Sequence, residues 1–429
     1  MSNQPFTTTL PNGLRIVAIP MPWRATLSLS VFVRTGSLNE SARQSGISHV
    51  VEHMAFKGTA TRDCQQINLD AERLGAEVNA HTDKDHTAYH MEGLPGDAGA
   101  LLMQLADLVM HSSFPQEEFE RERGVIEQEF SEFEDDPVTQ AFQAFDHACY
   151  GGVHAAGRPV IGKRSVLEKL QRDDLLAYVR RQYTACNVIV AAAGPVDAKS
   201  FKTLRDHVAR AFGAMPAGES NELTSPPWIG GLKVKRLSGS GQCQVVLGFE
   251  APSLSDGELA HVPQMLAAAV LGEGMSSPLL DELRERRGLA YHAACTTDVY
   301  PLMGQIVIEA ATAPEQAEEL LGTVHELLRQ HAKAIAPDAL ARARRQLAVR
   351  ALRAMEQPTR RMEAAVQDLF CFGRLRDQAA WMRRLEEVSA QEVRQVFARA
   401  LKSVPAVALA GSVPLKARAK AEALFFKSS

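Results

Sequence analysis

The stretch Ser48–Thr59 reads SHVVEHMAFKGT and sets His49 and His53 four residues apart, with Glu52 just before the second histidine. On a helix, positions four apart are about 40° apart around the axis, so both imidazoles can reach one ion at about 2.0–2.1 Å. Glu52 falls about 60° to one side of His49, where its carboxylate can approach a water at the ion and act as general base. The order mirrors H-E-x-x-H, in which the glutamate flanks the pair from the other side. Five residues are a short match, and His and Glu are ordinary on exposed helices. A hydrolytic metal site also needs a third protein ligand and an open position for water.

The segment FPQEEFERERGVIEQEFSEFEDD is the place to look for that ligand. A solvated acidic helix is the usual fate of such a charge run. However, Phe119, Ile126 and Phe133 recur every seven residues, and Glu122 and Glu129 each follow three after the first two. This spacing puts both carboxylates on an apolar seam, where they are costly unless something pairs with them. A buried metal supplies such a pairing.

These residues must be positioned by a scaffold. The chain has 429 residues, enough for two domains of about 200 residues with separate cores. PAGESNELTSPPWIGG, residues 216–231, has the Pro, Gly and Ser content of a linker. The expected domains are therefore 1–215 and 232–429. The halves resemble each other in a conserved order: HVVEH with HVPQM, ERLGAEVNA with ERRGLAYHA, FERERGVI with LARARRQL, and VAAAGPV with VALAGSV. A duplicated domain is the economical explanation. In the second copy Met265, Gln264 and Arg350 face His53, Glu52 and Glu129, so the second copy could not build the site.

TLSLSVFVRTG alternates as a half-buried strand, and AEVNAHTDKDHTAYHMEGL predicts two strands around an Asp83–Lys84 turn. Helices are predicted from Asp97 and after Pro115. The expected class is α+β: two homologous domains, each a mostly antiparallel sheet layered with helices.

Other features narrow the function. Lys plus Arg total 47 against 51 Asp plus Glu, a net charge of −4, which gives no broad electrostatic attraction to nucleic acid or an anionic membrane. No apolar run approaches the roughly 20 residues of a membrane span. The N-terminus carries no signal-peptide pattern. Six cysteines are scattered without a C-x-x-C pair, and this suits free thiols in a reducing compartment. A cytoplasmic protein is expected, although a removed leader would leave no trace. His81, His86 and His90 suggest a second metal site, but they straddle the expected hairpin and read more simply as strand side chains. GEGMSS, residues 272–277, lacks the P-loop lysine and predicts a serine-capped turn, with no nucleotide.

Taken together, HVVEHMAFKGT, GAEVNAHT, ERERGVIEQEF, GRPVIG and GMSSPLLDELRERRGLAY resemble motifs of the H-x-x-E-H metallopeptidases, which include pitrilysin, insulin-degrading enzyme and the mitochondrial processing peptidase. The resemblance spans nearly the whole chain and is strongest to the short-subunit branch, the processing peptidase β subunit and its bacterial relatives. It implies a zinc endopeptidase for peptides or unfolded segments, with one Zn2+ per chain bound by His49, His53 and Glu129. Glu52 is then the general base and Glu122 a supporting carboxylate. The strand containing Asn79 and Ala80 is an edge for a peptide substrate, while Arg284 and Tyr291 hold the substrate backbone and the oxyanion. Without the resemblance, that Arg/Tyr pair would read as the end of a basic amphipathic helix. Pro278 stands where many relatives have Arg, a tolerable change near a helix start. The implied assembly is a homodimer, or a heterodimer with a related non-catalytic subunit. The alternative is that this chain is itself a non-catalytic, partner-binding subunit of the same fold. His₂Glu ligation suits zinc best, with manganese or cobalt able to substitute.

Overall fold

The computed structural model describes residues 4–426 and contains two sheets. The first is built from β1 (Phe6–Thr9), β2 (Arg15–Pro20), β3 (Leu27–Val33), β4 (Glu77–Thr82), β5 (Thr87–Gly93) and β6 (Val188–Gly194). The second is built from β7 (Gly231–Arg236), β8 (Cys243–Glu250), β9 (Ala290–Val299), β10 (Gly304–Thr312) and β11 (Ala406–Gly411). Their orders are β1-β2-β6-β3-β5-β4 and β7-β11-β8-β10-β9. Leaving out β1, the two orders correspond strand for strand. In each sheet one pair is parallel, β2 with β6 and β7 with β11, and the other pairings between these strands are antiparallel.

The helices repeat in the same way. The first half of the chain holds α1 (Ile47–Ala55), α2 (Cys64–Arg73), α3 (Ala98–His111), α4 (Gln116–Asp135), α5 (Pro137–Tyr150), α6 (Arg164–Leu167), α7 (Arg172–Gln182) and α8 (Ala198–Phe212). The second half holds α9 (Val262–Gly272), α10 (Pro278–Leu280), α11 (Ala317–Lys333), α12 (Pro337–Ala354), α13 (Pro358–Phe372), α14 (Gln378–Glu387), α15 (Ala390–Ala400) and α16 (Leu415–Phe425). The α+β expectation holds in both halves. Among the described residues no helix is long and apolar enough to cross a membrane.

Each compact unit is discontinuous. The first comprises the residues up to Phe130, Pro159–Leu223 and Arg353–Leu375; the second comprises Ser131–Arg158, Thr224–Leu352 and the chain from Arg376 onward. The chain's main crossing, after Leu223, falls within the expected linker 216–231, of which residues 216–230 have no regular structure. Simple division into 1–215 and 232–429 nevertheless misses two helices. In the second unit, α5 packs against β7, β8 and β11; in the first, α13 packs against β2, β3 and β6. An amphipathic pattern shows that a helix has a face to bury, but it does not say which sheet receives it.

Strand β3 shows the consequence. Leu27, Leu29, Val31 and Val33 join a core with α1, α3, α4, α7 and α8. Phe32, on the opposite face, joins a smaller core in which Met362, Ala365, Val366 and Leu369 of α13 cover Val17, Ile19, Ala88, Ile189, Ala191 and Ala193. All seven residues of β3 are therefore buried, where the alternation alone predicted a strand with one exposed face. The Arg15 guanidinium ties the end of α13 to the sheet by donating to the Leu369 carbonyl at 2.6 Å.

Met362 is 1% exposed within that smaller core. Met362→Ala is expected to destabilise the protein by about 2–5 kcal/mol, the range for emptying a buried site, measured by urea unfolding. A cost below about 0.5 kcal/mol, as for surface positions, would mean that α13 does not seal the sheet.

Candidate active site

Helix α1 buries Ile47, Ser48, Val50, Val51, Met54 and Ala55, and this leaves His49, Glu52 and His53 on its other face. Its N-terminus is held from several directions. The buried Glu40 carboxylate accepts from the Gly46 N–H at 2.6 Å and the Ser48 N–H at 2.9 Å, satisfying donors that a helix start leaves unpaired and placing negative charge at the positive end of the dipole. The Tyr178 hydroxyl lies 2.8 Å from both Ser48 Oγ and Thr35 Oγ1. The GRPVIG motif meets this same point: a Cβ on Gly46 (φ +97°) would fall 2.5 Å from the Ile161 carbonyl oxygen, and one on Gly162 (φ +84°) 2.2 Å from that of Ser45. Both positions require glycine for conformation and for space.

Helix α4 supplies the carboxylates. His49 Nε2 and His53 Nε2 lie 3.2 Å apart, and Glu129 Oε2 lies 3.6 Å from the first and 3.5 Å from the second. The point equidistant from these three atoms is about 2.0 Å from each, the bond length zinc makes to imidazole nitrogen and carboxylate oxygen. The donor set therefore fits a zinc ion. Burial, reinforced by neighbouring His53, pushes the His49 imidazole down to about 3, so its ring is neutral near pH 7, the form a metal requires.

His53 is oriented by Glu122, whose Oε1 lies 2.9 Å from Nδ1. The other oxygen of Glu122 pairs with Lys57 Nζ at 2.6 Å. Glu122 is 6% exposed, so the helical seam does carry a buried carboxylate, and the partners at hand are an imidazole and an ammonium. The seam itself closes through Phe119, Ile126 and Phe130, not through the expected Phe133, which is only half-buried; a true helix drifts from a strict seven-residue repeat. Burial raises the Glu52 carboxyl above the usual carboxylate range, partly offset by polar contact with Thr82 and by attraction to His53. A raised carboxyl is suited to accepting and releasing a proton near neutrality.

The remaining expected residues have definite places. Asn79 and Ala80 lie on β4, which pairs with β5 on one side and forms an end of its sheet. Asn79 is exposed, and its Oδ1 accepts from the Ala80 N–H at 2.8 Å. In the second unit, the Arg284 guanidinium stacks 4.8 Å from the centre of the Tyr291 ring. Arg284 sits in a π-helical turn, Asp281–Arg286, and Tyr291, at 82% exposure, opens the edge strand β9. The second-copy counterparts build nothing similar: Gln264 is buried on α9 and Arg350 pairs with Glu273 at 3.1 Å. Sequence reasoning missed Glu40, Lys57 and Thr82. Lys57 lies four residues after His53, a helical spacing that was available as a signal; Glu40 and Thr82 have no local signature.

A duplicated α+β fold with a His–His–Glu donor set in one copy points to a metallopeptidase. Residues 15–162 match the insulinase family, peptidase family M16, and residues 169–347 match the peptidase M16 inactive domain. The chain is 32% identical over 321 residues to the uncharacterized zinc protease YmxG of Bacillus subtilis, covering 75% of this chain and 76% of the relative. It is 31% identical to an uncharacterized zinc protease of Mycobacterium tuberculosis, covering 91% and 90%. Among solved structures, the peptidase M16 inactive domain from Pseudomonas fluorescens superposes with a TM-score of 0.85 at 19% identity, covering 96% of this chain and 98% of that one. A protease from Helicobacter pylori gives 0.83 at 20% identity, covering 95% and 99%. The chain belongs to peptidase family M16.

Because Glu122 fixes the His53 ring, Glu122→Gln is expected to weaken zinc binding about 10–100-fold, the usual effect of losing a ligand's orienting carboxylate. Competition against a chromophoric chelator measures it, and an unchanged affinity would assign Glu122 to packing alone.

Proposed function

We propose that this chain is a zinc-dependent endopeptidase for peptides or unfolded segments, with one catalytic zinc held by His49, His53 and Glu129. The observation that carries the reading is the approach of three donor atoms to within 3.2–3.6 Å of one another, with the raised Glu52 carboxyl on the same helix face. Zinc, when bound, supplies Lewis acidity to the attacking water and the scissile carbonyl. Glu52 takes the proton from that water and returns it to the leaving amine. Glu122 keeps the Nε2 atom of His53 turned toward the site. A substrate strand adds to the open edge of β4 through backbone hydrogen bonds, displacing Asn79 from the Ala80 N–H, so binding tolerates varied sequences. Arg284 and Tyr291 hold the substrate backbone and the charge that develops on the carbonyl oxygen. Six cysteines without a disulfide among the described residues support action in a reducing compartment, the cytoplasm.

The rival is a non-catalytic subunit that binds or scaffolds a partner. It would leave Glu52 without a task. Glu52→Gln is expected to keep zinc at the wild-type level while cutting kcat on a quenched peptide by at least about 10²–10⁴-fold. Glu129→Ala is expected to lose zinc as well. Equal zinc loss in both variants would overturn the assignment of roles, and a wild-type protein that binds zinc but cleaves no peptide would favour the scaffold.

The proposed assembly is a homodimer in which Arg284 and Tyr291 of one copy serve the metal site of the other. Support for this is that one chain carries both halves of the machinery. Mixing Glu52→Gln protein with Arg284→Ala/Tyr291→Phe protein, under conditions of subunit exchange, should restore about a quarter of wild-type activity if exchange is random. No recovery, with exchange verified by mass, would rule out shared sites in a homodimer.

A further inference from the structure

Lys57 follows His53 by four residues and falls just past Ala55, the last residue of α1. A lysine there is ordinarily a solvated charge, favourable at the negative end of a helix. Here it has a buried partner. His53 Nδ1 and Lys57 Nζ take one oxygen each of a single carboxylate: Glu122 Oε1 lies 2.9 Å from Nδ1, and Oε2 lies 2.6 Å from Nζ. The Glu122 side chain is 7% exposed and that of Lys57 25%, and Glu122 has no other polar partner among the described residues.

A carboxylate with both oxygens engaged is held against rotation, and burial makes an unengaged oxygen costly. Without the ammonium, Oε2 has no donor among the described residues, and the carboxylate is free to swing away from His53. With it, Oε1 stays on Nδ1 and the imidazole keeps a proton there. Nε2 is then the atom turned to His49 Nε2 and Glu129 Oε2, 3.2 and 3.5 Å away. Both charges of the Lys57–Glu122 pair belong to the protein, so the arrangement does not wait for a metal.

The two histidines differ in this support. His49 Nδ1 is buried with no hydrogen-bond partner among the described residues, so no side chain dictates which of its nitrogens carries a proton. The Glu129 side chain is 37% exposed. Control of the donors from behind therefore runs through one arm, His53–Glu122–Lys57, and Lys57 is its far end.

We propose that Lys57 is a positioning residue of the metal site: through Glu122 it keeps the proton of His53 on Nδ1 before metal arrives, and it thereby sets the affinity of the site for a divalent metal. The inference rests on the reading of His49, His53 and Glu129 as metal donors. The rival is an ion pair that only fastens α1 to α4, which predicts lost stability with affinity and proton position unchanged.

The test uses full-length protein stripped of metal. Co2+ affinity is measured by competition with a chelator, and the 15N shift of His53 Nδ1, assigned by its loss in His53→Gln, reports whether a proton sits there. Wild type should show Nδ1 fully protonated. Lys57→Met is expected to weaken Co2+ binding about 10-fold, the lower end of the effect of a ligand's orienting partner, and to leave Nδ1 only partly protonated. Lys57→Arg, which keeps the charge, should restore both. In the Glu122→Gln protein, adding Lys57→Met should change affinity by less than about 2-fold, because no carboxylate is left to hold. Wild-type affinity and a fully protonated Nδ1 in Lys57→Met would overturn the proposal and leave the metal reading standing. So would an equal loss of affinity with and without Glu122. A wild-type protein that takes up no Co2+ removes the metal reading and this inference with it. Should Lys57→Met fail to fold, the shorter, polar Lys57→Gln takes its place, with the same losses expected and the same outcomes against it.

Discussion

Three electron-rich donor atoms, two imidazole nitrogens and a carboxylate oxygen, are held within 3.2–3.6 Å of one another, and the first unit is organised to hold them there. Nothing within a nine-residue helix keeps its two histidines facing a carboxylate on another helix. The position of α1 is set at its start by the Glu40 carboxylate and the Tyr178 hydroxyl, and at its end by the pairing of Glu122 with His53 and Lys57. Its inner face is locked into the same core that α4 enters through Phe119, Ile126 and Phe130. The donors are convergent because both of their helices are anchored to one sheet through well-packed, low-freedom contacts, which is what preorganisation of a site requires.

The scaffold occurs twice, and the complete His–His–Glu donor set occurs in one copy. Apart from β1, both sheets keep the same strand order, yet where the first copy has Glu52 and Glu129 the second has a buried Gln264 and an Arg350–Glu273 ion pair. The contrast separates fold from site within a single chain: the sheet-and-helix framework survives replacement of two of the three donors, His53 by Met265 and Glu129 by Arg350, because the framework depends on apolar burial and the site depends on a handful of polar side chains. The second copy contributes different candidates, the stacked Arg284 and Tyr291 on an irregular helical turn and an edge strand.

The β4–β5 hairpin serves two faces at once. Alternation along β4 turns Val78 and Ala80 to the α1 core, with Thr82 in polar contact with Glu52, while the histidines gather on the far side near Phe32 and α13. Side chains at consecutive strand positions thus belong to separate environments although their backbones are one residue apart.

Local periodicity is a property of the chain itself, and so the sequence alone determined what periodicity can report. The i, i+4 histidines with Glu52 beside them, the Glu122 carboxylate on the apolar seam of α4, the hairpin at Asp83, the crossing near residue 220 and the internal duplication were readable from spacing and composition, whereas Glu129, expected on the same seam, is partly exposed. Contacts across long separations leave no such trace, and tertiary structure alone decided them. Glu40 meets the start of α1, Gly46 meets Gly162, α13 closes the first sheet, α5 packs on the second, and β3 is buried on both faces. His81, His86 and His90 show the limit most plainly. Their spacing follows neither the helical nor the strand period throughout, and only the turn between β4 and β5 and the packing of both strands beside Phe32 bring the three rings into one chain of contacts.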